Sequence, residues 1–206
     1  MILDGHLREI FPLESQTSLE VVILAAGLGQ RFEQSGGAGH KALAPIWNER
    51  GILPLLLSNL RCCLIDDSIP VTIVTGRWSD QILPFAKQDR VQLLHNPQFR
   101  DESLLQSLAR ALCVVRTRYV LVLFADTFYT INSLATMLQA CWQESQSSRD
   151  NVLLAVTPTQ GACFDDRQRQ TGVCIALDDT VLQFNPPVCD WQMAPAILWP
   201  SIHFHA

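Results

Sequence analysis

The chain has 206 residues, 48% of them apolar and 17% charged, a balance that supports one packed domain and excludes a disordered chain. Its formal net charge is −5 and its 15 Lys and Arg are scattered without a basic run, which excludes a nucleic-acid polymer as the expected partner. Seven cysteines without a CxxC pair exclude a disulfide framework and a structural zinc site as the expected frame, and a reducing cytoplasm is the simple setting.

In chain order, residues 1–19 are weakly patterned and read as a leader, without the basic and apolar regions of a secretory signal. Val21 to Ala25 is a continuous apolar, β-branched run and predicts a strand buried on both faces. Residues 27–40 are rich in Gly, Ser and Gln and predict a loop. Leu55, Leu56, Leu60 and Leu64 have helical spacing, with Pro54 acceptable in the first turn. Val71 to Thr75 predicts a second strand stopped by Gly76, and Ser79-Asp80 caps a short helix ending near Lys87. Val91 to Leu94 predicts a third strand, with the Asn96-Pro97 turn behind it. Asp101 to Ser103 offers caps for a helix from Leu104 to Val115.

Tyr119 to Phe124 predicts the fourth strand, with Asp126 just past its end. The longest apolar runs, such as Tyr119 to Ala125, are too short to cross a bilayer, and no membrane partner is expected. Ile131 to Glu144 reads as a helix and Val152 to Val156 as a strand. Val173 to Leu177 and Val181 to Phe184 then read as a hairpin in a different layer, on the acceptor side of a site. Gln183 to Pro195, with three prolines, reads as loop, and the chain stops within an apolar segment, Ala196 to Ala206.

Alternating strands and helices through about residue 156 predict parallel strands with right-handed crossovers and helices on both faces. Such sheets bind ligands beyond the carboxyl ends of their strands. The Gly27 loop, Thr75-Gly76, His95-Asn96 and Asp126 all fall at such ends, so four segments are expected to converge on one edge.

The first of them carries the most specific pattern. A buried strand runs through Leu24-Ala25-Ala26 into Gly27-Leu28-Gly29-Gln30-Arg31, and Lys41 follows. Glycines let backbone N–H groups approach phosphate oxygens, and the two cations offset phosphate charge. Phe32 stands where a dinucleotide fingerprint needs its third glycine, and no Gly-Lys-Ser/Thr follows, so neither that motif nor a Walker A loop is present. An acid ending an apolar strand, as Asp126 does, suits a hard cation that takes oxygen ligands, and the competing reading is a helix cap.

Leu24-Ala25-Ala26-Gly27-Leu28-Gly29-Gln30-Arg31-Phe32 with His40-Lys41-Ala42-Leu43 resembles the signature of the nucleotidyltransferases. That group includes the sugar-phosphate, molybdopterin and phosphocholine members. Gly-Leu-Gly-x-Arg-Phe, the His-Lys pair, and Asn96-Pro97 ahead of Ser107-Leu108 look closest to the phosphocholine cytidylyltransferases. The resemblance covers residues 21–130. Ala125 stands where most relatives have a glycine before the aspartate.

The resemblance implies a three-layer α/β/α Rossmann-like sandwich of the nucleotide-diphospho-sugar transferase type, with a mostly parallel central sheet. It divides a single domain of 206 residues into a nucleotide-binding half, 20–156, and an acceptor-side half, 157–206, that ends about where relatives add a strand and a helix. Backbone from Leu24, Ala25, Ala26, Gly27 and Gly29 would contact base and ribose, and Ser107 would lie near the base or sugar. Arg31 and Lys41 would hold the triphosphate as the catalytic cations, and Asp126 would bind Mg²⁺. The implied reaction joins a nucleoside monophosphate from CTP to a phosphocholine-like acceptor or a sugar phosphate and releases pyrophosphate.

A second acid for the metal has no matching motif, with Asp178, Asp179 and Asp190 the nearby carboxylates. A non-catalytic nucleotide- or metabolite-binding module on the same fold is the alternative. A glycosyltransferase would carry Asp-x-Asp, and Asp126-Thr127-Phe128 lacks the second acid. His40 stands either against phosphate or merely beside Lys41. His95, His203, His205, Asp165 and Asp166 read as surface or turn residues, and the five tryptophans as core or half-buried.

Overall fold

The run Val21-Val22-Ile23-Leu24 offers no polar residue to water, so it is stable only with both faces covered. In the computed structural model it lies in strand β1, Leu19–Ala25, whose residues are all buried. The structure describes residues 19–48, 51–63, 69–86, 90–101, 103–146, 153–158, 172–175, 181–184 and 191–200. Residues 1–18 of the expected leader and Asp165, Asp166, Asp178, Asp179, Asp190, His203 and His205 lie outside them, and the last expected leader residue, Leu19, begins β1.

Three more strands of the predicted series form beside β1. These are β4 (Val71–Thr75), β5 (Val91–His95) and β6 (Tyr119–Phe124). β1 pairs in parallel with β4 and with β6, and β4 pairs in parallel with β5. The sheet therefore runs β5-β4-β1-β6 and continues to β10, Trp191–Pro200, which is antiparallel to β6. On its other side β10 is antiparallel to β7, Leu153–Pro158, so β7 shares the direction of β6.

Helices cover both faces. The odd-numbered side chains of β1 pack with Leu56, Leu60 and Cys63 of α2 (Leu55–Cys63). Ile82 of α3 (Ser79–Ile82) and Leu134 and Leu138 of α5 (Ile131–Gln146) join that core. The even-numbered side chains meet Leu108, Ala111 and Leu112 of α4 (Leu104–Leu112). The three-layer, mostly parallel architecture is thus as the sequence predicts. Ser103 begins α4 with a capping box: its hydroxyl accepts from the Gln106 N–H, and its own N–H donates to Gln106 Oε1.

Three expectations are corrected. The segment 183–195 is not all loop, because β10 begins at Trp191. Proline cannot donate to a ladder, but Pro195 falls in the register shift between Met193 and Ile197, where no donor is required. The hairpin of β8 (Gly172–Ile175) and β9 (Val181–Phe184) forms, yet not as a separate layer: β8 pairs with Trp191 and Gln192 of β10 and so extends the same sheet. Finally, Pro54 does not open α2. It closes a two-stranded hairpin of β2 (Pro45–Asn48) and β3 (Gly51–Pro54), and the helix starts at Leu55.

One carboxylate sits within β1. Glu20 is buried, accepts a hydrogen bond from Thr72 Oγ1 at 2.5 Å, and is held above its ordinary value of 4.5 by burial, against the opposing Thr72 and Arg116 bonds. The folded chain therefore binds this proton more tightly than the unfolded chain. The stability it contributes is full below the unfolded pKa and is lost as pH rises through the raised folded value. Glu20→Gln is expected to raise Tm at pH 7 by about 2–4 °C, with the gain vanishing below about pH 4 in thermal melts across pH.

Candidate active site

Strand register aligns the carboxyl ends. Ala25 lies beside Thr75, Thr75 beside His95, and Leu24 beside Phe124. The Gly27 loop, Gly76, Asn96 and Asp126 consequently leave the sheet along one edge, as expected. The loops approach closely there: a Cβ on Gly76 would lie 2.5 Å from the Ala26 carbonyl oxygen and 2.8 Å from Phe99 Cβ. Gly76→Ala must push the β4 loop away from the β1 loop. A loss of about 1–3 kcal/mol in denaturant melts is expected.

The segment read as loop after β1 contains a short helix, α1 (Gln30–Gln34), which five residues without apolar periodicity did not announce. Gly29 precedes it at φ 69°, a left-handed conformation that lets the chain turn from the strand end into the helix. Gly27 and Arg31 are exposed, and the Arg31 guanidinium has no ion-pair partner among the described residues. Glu33 on the same helix accepts from Arg77 at 2.8 Å, and the Arg77 guanidinium stacks 4.3 Å above the ring of half-buried Trp78. The side chains of the other four tryptophans lie outside the described residues.

Lys41 opens a 3-10 turn, Lys41–Leu43, and its Nζ donates to Asp126 Oδ2. Both side chains are about one-third exposed, at 34% and 38%. His40, just before it, is 3% exposed. Its Nδ1 accepts from the Ala42 N–H at 3.0 Å, which places its proton on Nε2, 2.7 Å from the Ala25 carbonyl oxygen. Burial lowers its pKa below the ordinary value, the bond to Ala25 opposes this, and the Lys41 charge adds to the lowering. Both ring nitrogens are engaged inside the protein, so His40 is not a phosphate contact.

Asp126 stands in the turn after β6, where the Thr127 N–H donates to the Phe124 carbonyl. It does not cap α5. The Thr130 hydroxyl does so, accepting from the Ser133 N–H at 3.1 Å. Two residues that sequence reasoning missed fix this turn. Asn59 Nδ2 of α2 donates to the Thr127 carbonyl at 2.7 Å, and Asn59 Oδ1 accepts from the Tyr129 N–H at 3.3 Å. Tyr129 Oη accepts from the Phe124 N–H at 3.1 Å, and burial pushes that phenol up to about 12. The available signal was an amide within the apolar stripe of a helix: Asn59 is 1% exposed beside Leu60.

Ser107 is buried on α4, and its Oγ accepts from Asn96 Nδ2 at 3.1 Å. Asn96 also accepts from the Gln98 N–H at 2.9 Å and donates its own N–H to the Thr75 carbonyl at 2.8 Å. One fully buried amide thereby joins the ends of β4 and β5 to α4. The structure thus brings Lys41 and Asp126 into contact and sets Arg31 and Ser107 on flanking segments. Among the described residues no three His, Cys, Asp or Glu cluster as a metal site. A hard cation that keeps several waters and takes phosphate oxygens needs only one or two carboxylates, so Asp126 alone fits Mg²⁺ as the protein's share of its ligands.

A family model described as the MobA-like NTP transferase domain matches residues 21–198. Among solved structures, a glucose-1-phosphate thymidylyltransferase described from Bacillus anthracis is similar at 16% identity and TM-score 0.71, covering 90% of this chain and 73% of that one. The inositol-1-phosphate CTP transferase from T. maritima is similar at 11% identity and TM-score 0.61, covering 90% and 71%. HddC from Yersinia pseudotuberculosis is similar at 18% identity and TM-score 0.60, covering 88% and 76%. At these identities the structural likeness speaks for the fold. No curated protein matches the chain significantly. Among the described residues no helix is long and apolar enough to cross a membrane.

Proposed function

The chain belongs to the MobA-like NTP transferase domain family, and from that premise we propose that it transfers a nucleoside monophosphate from a nucleoside triphosphate to a small phosphorylated acceptor. The observation that carries this reading is the Lys41–Asp126 ion pair, which joins segments 85 residues apart beside the glycine loop at the ligand edge.

In the proposed reaction an oxygen of the acceptor phosphate attacks the α-phosphorus. The bond from that phosphorus to the bridging oxygen of the β-phosphate breaks, and pyrophosphate leaves. The attacking group is anionic at neutral pH, so no general base is required. The chain must supply alignment and positive charge. Backbone from Leu24, Ala25, Ala26, Gly27 and Gly29 would receive base and ribose, with Ser107 nearby. Arg31, with no competing carboxylate among the described residues, would bind the polyphosphate, and Lys41 would divide its charge between Asp126 and the phosphates. Asp126 would hold Mg²⁺, which when bound neutralises phosphate oxygens and weakens repulsion between the two anions.

CTP is the first nucleotide to try, with a phosphocholine-like compound or a sugar phosphate as acceptor. The name of the T. maritima neighbour states CTP with an inositol phosphate, that of the Bacillus anthracis neighbour a thymidylyl group, and HddC has been solved with GMP-PN. Those names support a phosphorylated small molecule as acceptor and keep every base in the screen. A cytoplasmic site of action is the setting expected for a chain whose seven cysteines include no CxxC pair. The test is pyrophosphate release from each of four nucleoside triphosphates with Mg²⁺ against a panel of phosphorylated acceptors. Acceptor-dependent release supports the reading; nucleotide binding without release for any pair supports the non-catalytic module.

A further inference from the structure

We infer that His40 is the positioning residue for Lys41: its imidazole ties the turn that presents the lysine to the end of the central strand. The inference rests on the reading of Lys41 as a catalytic cation.

A lysine has four rotatable side-chain bonds, so the position of its ammonium depends on how firmly its backbone is held. The turn Lys41–Leu43 is only three residues long and has two internal bonds, Leu43 N–H to the His40 carbonyl at 2.9 Å and Ala44 N–H to the Lys41 carbonyl at 3.1 Å. The N–H of Ala42, a residue with no exposed surface, is met by His40 Nδ1 at 3.0 Å. The opposite ring nitrogen meets the carbonyl of Ala25, the last residue of β1, at 2.7 Å. One side chain thus spans from the middle strand of the sheet to the residue after Lys41. The His40 N–H also donates to Gln81 Oε1 at 3.2 Å, so the turn is tied to α3 as well. With 3% of its surface exposed and both ring nitrogens engaged, His40 does not reach substrate. It acts through the geometry of Lys41.

Two substitutions separate its two bonds. His40→Asn places an acceptor oxygen near the position of Nδ1 and keeps the bond to Ala42; His40→Gln places a donor near the position of Nε2 and keeps the bond to Ala25. Both are compared with wild type by circular dichroism for folding, steady-state kinetics with the nucleotide–acceptor pair found in the screen, and amide hydrogen exchange at Ala42. Each variant cuts one end of the tie, so the expected result is a loss of about 10–100-fold in kcat for both His40→Asn and His40→Gln, with a smaller change in nucleotide KM. Exchange at Ala42 should accelerate in His40→Gln and not in His40→Asn.

A kcat within about threefold of wild type in either folded variant, or equal protection of Ala42, would overturn the inference. If wild type releases no pyrophosphate, the transferase reading falls on its own. Ala42 exchange and the line width of the Lys41 Nζ resonance then decide the brace: a line broadened in both variants relative to wild type supports it, and a line unchanged from wild type overturns it.

Discussion

Lys41→Ala is expected to lower kcat by about 10²–10³-fold, the usual cost of removing one pre-aimed charge from a developing transition state. The reason is geometric. Among the described residues Lys41 is the one cation paired with Asp126 at the ligand edge, and its turn is anchored through Ala42 and His40. The fold should not suffer. The ion pair is about one-third exposed at each partner, and exposed pairs contribute at most about 1 kcal/mol after screening. Tm should therefore stay within a few degrees of wild type. Arginine at this position should restore nucleotide binding better than turnover, because its broad planar fork does not reproduce a compact ammonium. Single-turnover kinetics check the prediction, and near-normal turnover in folded Lys41→Ala would remove the lysine from the mechanism.

Asp126→Asn is the second large effect. It keeps size and hydrogen-bonding capacity but removes the only carboxylate that the described residues place against Lys41. The turn itself should survive, because Asn59 and Tyr129 hold Thr127, Tyr129 and Phe124 by bonds that do not involve Asp126. Activity should fall by about 10²-fold or more, and the remaining rate should no longer respond to Mg²⁺ between micromolar and millimolar concentrations. A normal Mg²⁺ activation curve in this variant would assign the cation to another ligand. Melting curves without nucleotide should be nearly superimposable on wild type, which separates the effect from unfolding.

The parts of the fold that were legible are those in which one physical demand dominates. β1, β4 and β6 are buried on both faces, and their apolar runs say so without ambiguity. α4 announces itself through the cap residues of 101–103, and the structure adds Gln106 as the partner that completes a capping box with Ser103. Asp126 and Lys41 stood out as candidates because charged groups next to apolar strands and glycine turns have few structural uses, and the structure pairs them. The hairpin of β2 and β3 was hidden because prolines at both ends, Pro45 and Pro54, argue against strands when pairing is unknown. β10 was hidden for the same reason, and only its register shift shows how Pro195 is accommodated. The roles of His40 and Asn59 depend on which backbone groups tertiary contact brings within 3 Å, and no local pattern encodes that. The signal in each case was a polar side chain in an apolar setting, visible beforehand but without a partner to name.

The proposed transferase moves the α-phosphoryl group of a nucleoside triphosphate, with its nucleoside, onto a phosphorylated acceptor. The direct measurement follows labelled phosphorus from the α- and γ-positions of each of four nucleoside triphosphates with Mg²⁺ and the acceptor panel. For at least one pair, α-label is expected in a new acceptor-linked diphosphate and γ-label in pyrophosphate. Label from the γ-position on the acceptor or in orthophosphate, or no acceptor-linked label with any pair, would contradict it.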